Sequence, residues 1–437
     1  MTTIAYETVD QAEAGYRHYR PRILLWSIIG YAMFYFVRKN LSIAMPVMGE
    51  QLHIAKTDLG LFLTLHGVIY GVSKFVNGFI GDRVNAPIFM AIGLVGSAIV
   101  NFFFGLGSAV IWFGIFWMLN GWFQGIGFPP CARLLTHWFS PKELATKMSI
   151  WNTSHSIGAG AVVILCGYLV DHFHNWRLCF FVPAGLAILT SFLLLIFLKD
   201  TPSSVGLPEV PGTEEKVPED VPDPHFAATL RRKVFSNYYI WIIAIANFFV
   251  YTIRYGVFDW GPTFLKESKG MTLSNAGWMV AAFEGSGVIG MLAAGWITDR
   301  FFGGRGARTC VFCMIFTAIA LFFFRAIPAG HMLLSTLALM AAGFFIYGPQ
   351  ALVGIAVANL ATKKAAATAV GLTGVFGYAS GVLSGWGLGW LVEHYGWDKA
   401  FLGLLIVAAV GIVLFLLAWP APRDGYGQKT GHGFPVT

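Results

Sequence analysis

The chain has 437 residues, of which 56% are hydrophobic and 16% aromatic but only 12% charged. A soluble domain carries about twice that charged fraction, so an ordinary soluble protein is excluded. The net charge of +7 would suit a nucleic-acid partner, but the basic residues are distributed as they are in membrane topology.

Residues 1–22 are polar and mixed in charge. The apolar run behind them has no small-residue cleavage site, so it reads as a retained helix, not a cleaved signal. Apolar stretches near the ~20 residues needed to cross a bilayer predict twelve spans: 23–45, 58–80, 88–107, 110–132, 148–170, 177–198, 236–260, 275–297, 309–326, 332–358, 365–391 and 399–419. The expected fold is an all-α membrane protein of twelve transmembrane helices in two six-helix bundles. Spans four, five, ten and eleven are rich in glycine, which lets helices approach closely.

Nineteen of the 29 Lys and Arg residues fall in the tails and even-numbered loops, and six in the odd-numbered loops. The positive-inside rule then predicts both termini in the cytoplasm; the expected location of the multi-pass chain is the cell's inner (cytoplasmic) membrane. Residues 200–235 contain the one long polar segment, rich in Pro and acidic residues, which reads as a flexible interdomain linker. It separates an N-terminal bundle (1–199) from a C-terminal bundle (236–437).

The bundles repeat each other. "GFIGDR" (78–83) returns as "GWITDR" (295–300), and "YLVDHFHNWRLCFF" (168–181) as "WLVEHYGWDKAFLG" (390–403). Arg254 follows Arg38 at nearly the spacing that separates Asp299 from Asp82. Duplicated bundles of this kind carry their site at the midplane between the halves.

Ionisable residues inside a span are costly and are functional candidates. Tyr31, Tyr35 and Arg38 have the spacing of one helical face, repeated by Asn247, Tyr251 and Arg254. Two arginines so placed would meet at one central cavity. They either hold an anion, whose oxygens match the planar guanidinium fork, or pair with buried carboxylates, for which Asp259 and Glu284 are available. Lys74, one turn after Tyr70, either extends the anion site or snorkels to a headgroup. His155 is either a packing residue or a titratable donor near the substrate. Glu284 receives a substrate hydroxyl or pairs with Lys74 or an arginine. Tyr347 and Tyr378, on glycine-rich helices, either pack or line the cavity. Asp82, Arg83, Asp299 and Arg300, at the ends of spans two and eight, read as conformational latches.

The five cysteines lie in or beside apolar segments and read as reduced structural thiols. Cys310 and Cys313 lack the second ligand pair that a metal site needs. No G-K dipeptide, H-E-x-x-H or G-x-S-x-G occurs, so neither ATP hydrolysis at a P-loop nor those hydrolytic chemistries is expected. The expectation is a gradient-driven carrier without cofactor or metal, and not an enzyme.

Six motifs carry a family resemblance: "GYAMFYFVRKNLSIAMP" (30–46), "YGVSKFVNGFIGDR" (70–83), "NGWFQGIGFPPCARLLTHWFS" (120–140), "VYTIRYGVFDWGPTFLKE" (250–267), "FFIYGPQALVG" (344–354) and "KKAAATAVGLTGVFGYASG" (363–381). The chain resembles the organophosphate:phosphate antiporters of the major facilitator superfamily, which include glycerol-3-phosphate and hexose-6-phosphate transporters. The resemblance implies that Arg38 and Arg254 bind phosphate, with Lys74 and His155 as further site positions. It also implies that Tyr31, Tyr35, Tyr70, Tyr251, Glu284, Tyr347 and Tyr378 line the pore. Glycerol-3-phosphate exchanged for inorganic phosphate by a monomer is the expected activity. A hexose-6-phosphate antiporter and a non-transporting sugar-phosphate sensor of the same family are the alternatives.

Overall fold

A backbone surrounded by lipid must satisfy its own hydrogen bonds, and among the described residues the chain is helix joined by short turns. The structure, a computed structural model, describes residues 9–81, 83–210, 230–361 and 365–425. Asp82, Lys363, Lys364 and most of the linker lie outside them. The first half contains α1 (Val9–Phe36), α2 (Asn40–Leu52), α3 (Lys56–Gly81), α4 (Ala86–Leu106), α5 (Val110–Gln124), α6 (Phe128–Trp138), α7 (Pro141–Asn152), α8 (Ser154–Phe173) and α9 (Leu178–Phe197). The second contains α10 (Tyr238–Lys269), α11 (Leu273–Phe302), α12 (Gly306–Ala326), α13 (Met332–Ala361), α14 (Ala366–Ala379) and α15 (Leu388–Leu417).

Among the described residues, nine helical stretches are long and apolar enough to cross a membrane. The twelve crossings follow from how the remainder divide. Span one is split between α1 and α2, and span four between α5 and α6 at Gly125–Gly127. Spans eleven and twelve run on as one stretch, 368–417, in which Gly396 at φ 77° marks the turn between them. That backbone angle is one L side chains rarely adopt.

The split in span one corrects the sequence reading. Helix α1 stops at Phe36, so Arg38 does not continue the Tyr31–Tyr35 face; it sits with Lys39 in the short turn before α2. Neither Pro nor Gly causes this break. Two buried side-chain amides from other helices hold it, because Asn101 and Asn120 both donate to the Val37 carbonyl, at 2.9 and 2.8 Å. Asn40 ties the start of α2 to Asn101 and to the Cys179 carbonyl. The carbonyl freed by the break is thus satisfied without water.

The described ends of the linker are ordered. Leu207 and Val210 are buried, Leu207 within the first half's core. Asp200 pairs with Arg133 at 3.2 Å and accepts from the Ala86 amide. The flexible reading therefore does not hold for residues 200–210.

The larger core cluster runs across both halves, joining Leu41, Met45 and Val163 to Trp260 and Leu273. On the face bearing the odd-numbered loops, backbones of opposite halves touch. A Cβ on Gly60 would come 2.3 Å from the Gly385 carbonyl oxygen, and one on Gly277 2.4 Å from that of Val163. The repeated segments meet there in reciprocal fashion. Asp171 accepts from the Leu273 and Ser274 amides at the start of α11, while Glu393 accepts from the Lys56 amide at the start of α3. Each half thus caps a helix N-terminus of the other, where orphan N–H groups and the helix dipole favour a carboxylate. Ion pairs Lys266–Glu50 (2.5 Å) and Lys56–Glu267 (3.2 Å) add to the closure. Its hydrogen bond to Lys266 holds the Glu50 carboxyl below the usual carboxylate range.

Candidate anion site between the halves

Arg38 leaves the α1–α2 turn with its guanidinium over the Tyr70 ring, 4.1 Å from the ring centre, and 5.4 Å from that of Tyr35. These aromatic faces stabilise a cation without neutralising it. Arg254 instead lies within α10 and is buried. It donates to the Tyr347 hydroxyl at 2.8 Å and lies 3.7 Å from Glu284. Its Nε has no hydrogen-bond partner. Of the roles open to Glu284 in the sequence, the structure shows pairing with an arginine.

The two arginines border common ground. Tyr35 faces His155 at 5.9 Å, and His155 stacks on Tyr347 at 6.4 Å, linking Arg38 to Arg254 through three rings. On the other side Tyr255 lies beside Arg254 and Lys39, at 5.4 and 4.9 Å. The His155 Nδ1 donates to the Asn152 carbonyl, which leaves Nε2, unpartnered and buried, as the lone-pair nitrogen.

Lys74 donates to the Tyr378 hydroxyl at 3.1 Å, a partner from the opposite half. Tyr378 packs edge-on against Tyr70 at 5.2 Å, so Lys74 and Arg38 flank one tyrosine pair. Tyr31 is buried against Trp151 at 4.6 Å and faces Tyr35 at 5.7 Å. Tyr251 packs on Tyr255 at 5.3 Å, and Asn247 donates to the Thr373 carbonyl. Arg83, Asp299 and Arg300 stand apart from this cluster and are exposed; Asp82 lies outside the described residues.

Several residues were not assigned from sequence. Lys39 forms a 2.6 Å ion pair with Asp259 across the halves, both side chains being buried. Tyr255 touches both cationic groups. His66 packs between Tyr70 and Trp117. Charges and amides inside spans were the available signal; their partners, from distant helices, were not.

The charge balance decides what the site can hold. Around the midplane stand four cations, Arg38, Lys39, Lys74 and Arg254, against two carboxylates, Asp259 and Glu284. Both carboxylates are engaged by Lys39 and Arg254. Among the described residues neither Arg38 nor Lys74 has a carboxylate partner. The excess is two positive charges, which a dianion matches.

A twelve-span helical protein with a cationic site between two duplicated halves is, as a class, a secondary-carrier scaffold. The model of the Major Facilitator Superfamily matches residues 27–385, and the chain belongs to that superfamily. It is 41% identical to the glycerol-3-phosphate transporter of Bacillus subtilis (strain 168), over 94% of each chain. It is 38% identical to a probable hexose phosphate transport protein of Chlamydia pneumoniae, over 97% of this chain and 96% of the other. A solved bacterial homolog of the human lysosomal transporter Spinster, inward-facing and unoccupied, shares the fold with a TM-score of 0.74 at 15% identity, covering 92% of this chain and 97% of that one.

Proposed function

We propose that the protein exchanges an organophosphate, best matched by glycerol-3-phosphate, for inorganic phosphate, and that Arg38 and Arg254 jointly bind the phosphoryl group both substrates share. The observation carrying this reading is the excess of two positive charges at the midplane, with Arg38 and Lys74 left without carboxylates. Planar guanidinium forks suit phosphate oxygens. Lys74 adds a point charge, and the bare Nε2 of His155 accepts a proton or a hydrogen bond from a hydroxyl. Tyr31, Tyr35, Tyr70, Tyr251, Tyr347 and Tyr378 line the route, and Glu284 sets the charge on Arg254. The name of the Bacillus relative supports glycerol-3-phosphate as the substrate.

The protein acts as a carrier and not as an enzyme, and as a monomer. It lies in the inner membrane with both termini in the cytoplasm, which makes the closed odd-loop face the outer one. Residues 1–199 and 236–437 rock as two bodies about the site, joined by 200–235. Asp82–Arg83 and Asp299–Arg300 latch the cytoplasmic face when it closes. Closing around an empty site would bury two uncompensated cations at a cost of several kcal/mol, so the loaded site moves and the empty one does not. This makes exchange obligatory.

The test is uptake into phosphate-loaded proteoliposomes across a panel of glycerol and sugar phosphates. Glycerol-3-phosphate uptake that requires internal phosphate is the expected result. Binding without flux would make the protein a receptor, uptake at equal rates into phosphate-free vesicles would remove obligatory exchange, and hexose-6-phosphate preference would move the substrate assignment.

A further inference from the structure

Beyond Arg38, on the odd-loop side, lies a void of about 40 Å³ between the halves. Its polar lining comes from Arg38, Lys39, Ser42, His66 and Trp117 of the first half, and Tyr255, Asp259, Tyr378 and Ser384 of the second. Arg38 borders both this void and the Tyr70–Tyr378 pair, so a molecule whose phosphoryl group sits on Arg38 can extend its other end into the void. Most of the lining is committed elsewhere: Lys39 and Asp259 to each other, and the Ser42 hydroxyl to the Lys39 carbonyl. His66 and Trp117 are not: the imidazole Nε2 and the indole Nε1 both lack a hydrogen-bond partner, and His66 is buried, with 5% of its surface accessible.

The imidazole is also held in place. Its ring stacks on Tyr70, with centroids 6.4 Å apart and planes 7° from parallel, and tilts against Trp117 at 5.3 Å. A buried polar nitrogen without a partner costs stability, and one locked between two aromatic rings cannot turn away to find one. Neutral imidazole offers one donor and one acceptor nitrogen, so a hydroxyl satisfies it in either tautomer.

We propose that His66 is a specificity-determining residue that reads a hydroxyl on the organic end of the substrate. This rests on the organophosphate reading above and deepens it. The space of about 40 Å³ open to the centre of a water-sized sphere exceeds the ~10–15 Å³ that one water needs, so the void has room for a hydroxyl-bearing group. A site built to bond a hydroxyl rejects the analogue lacking it, because the buried group is then left unpaired.

The experiment is competition against labelled phosphate exchange by the full-length protein in phosphate-loaded proteoliposomes, with glycerol-3-phosphate and propyl phosphate as competitors. Competition for phosphate binding to the solubilised protein reads the same ratio without transport. Wild type should prefer glycerol-3-phosphate about tenfold, the worth of one or two hydrogen bonds. His66→Leu should reduce that preference to about twofold or less, and His66→Gln should retain part of it. If His66→Leu, or His66→Gln where the leucine variant does not fold, keeps none of these shifts and competes as wild type does, the assignment is overturned. No preference in wild type overturns it as well. Absence of phosphate exchange in wild type would instead strike the antiport reading, while the binding ratio still decides on His66.

Discussion

The two halves present the same folds to the midplane but not the same charge. The first brings Arg38, Lys39 and Lys74, and no carboxylate to match them. The second brings Arg254 with Asp259 and Glu284, and spends Glu284 on its own arginine. The surplus acid, Asp259, crosses to Lys39. Duplication therefore supplies paired positions, whereas the chemistry comes from where the repeats have diverged: one half is a cation surface, and the other holds it and trims its charge. Even the two arginines differ, one on a turn over aromatic rings, the other inside a helix beside a carboxylate.

Breaking the crossing ion pair should have the largest effect on the resting protein. Asp259→Asn leaves Lys39 buried and alone, a change that costs about 3–5 kcal/mol. The melting temperature of the solubilised protein should fall by several degrees, and the double variant Lys39→Met, Asp259→Leu should recover much of it. If the single and double variants melt alike, the pair does not join the halves.

Removing the carboxylate that trims Arg254 sharpens the same contrast. Glu284→Gln should make the second arginine resemble the first, tighten phosphate binding about tenfold and slow exchange, because the product then leaves a more cationic site. Calorimetry of phosphate binding, set beside exchange rates, checks both halves of the statement. Weaker binding would mean that Glu284 positions Arg254 and does not merely neutralise it.

The caps on the odd-loop face are where the halves still agree. Asp171→Ala and Glu393→Ala should each weaken the closed face by about 1 kcal/mol, raising the labelling of a cysteine placed behind the face several-fold. Unequal effects would show that divergence has reached the gate as well.

The smallest expected effect is that of pH on Lys266–Glu50. The Glu50 carboxyl is held below its ordinary range by Lys266. Its contribution to closure is therefore complete above the ordinary carboxylate pKa and is lost as pH falls through the lowered one. An exposed pair contributes 1 kcal/mol or less, so labelling should rise modestly in acid, and Glu50→Gln should abolish that rise without altering labelling at acid pH.

The repeats, the span pattern and the paired arginines were legible in the sequence because each is a local or periodic property. The break before Arg38 was not. "YFVRKN" contains no helix breaker, and the carbonyl it frees is bound by Asn101 and Asn120 from other helices. Lys39 was visible as a charge, but its role depends on Asp259, 220 residues away. The repeat containing Asp171 and Glu393 could be read, yet its reciprocal capping requires the halves to be docked. The linker reads as flexible from composition, but buried Leu207 and Val210 anchor its first part.

The central claim is that one guanidinium from each half grips the same phosphate. Phosphate self-exchange by Arg38→Lys and Arg254→Lys in phosphate-loaded proteoliposomes tests it most directly, because charge is kept and only the planar fork is lost. Both variants should lose exchange by at least about 100-fold, the scale of a lost bidentate charged contact. Near-normal exchange by either one would contradict the account.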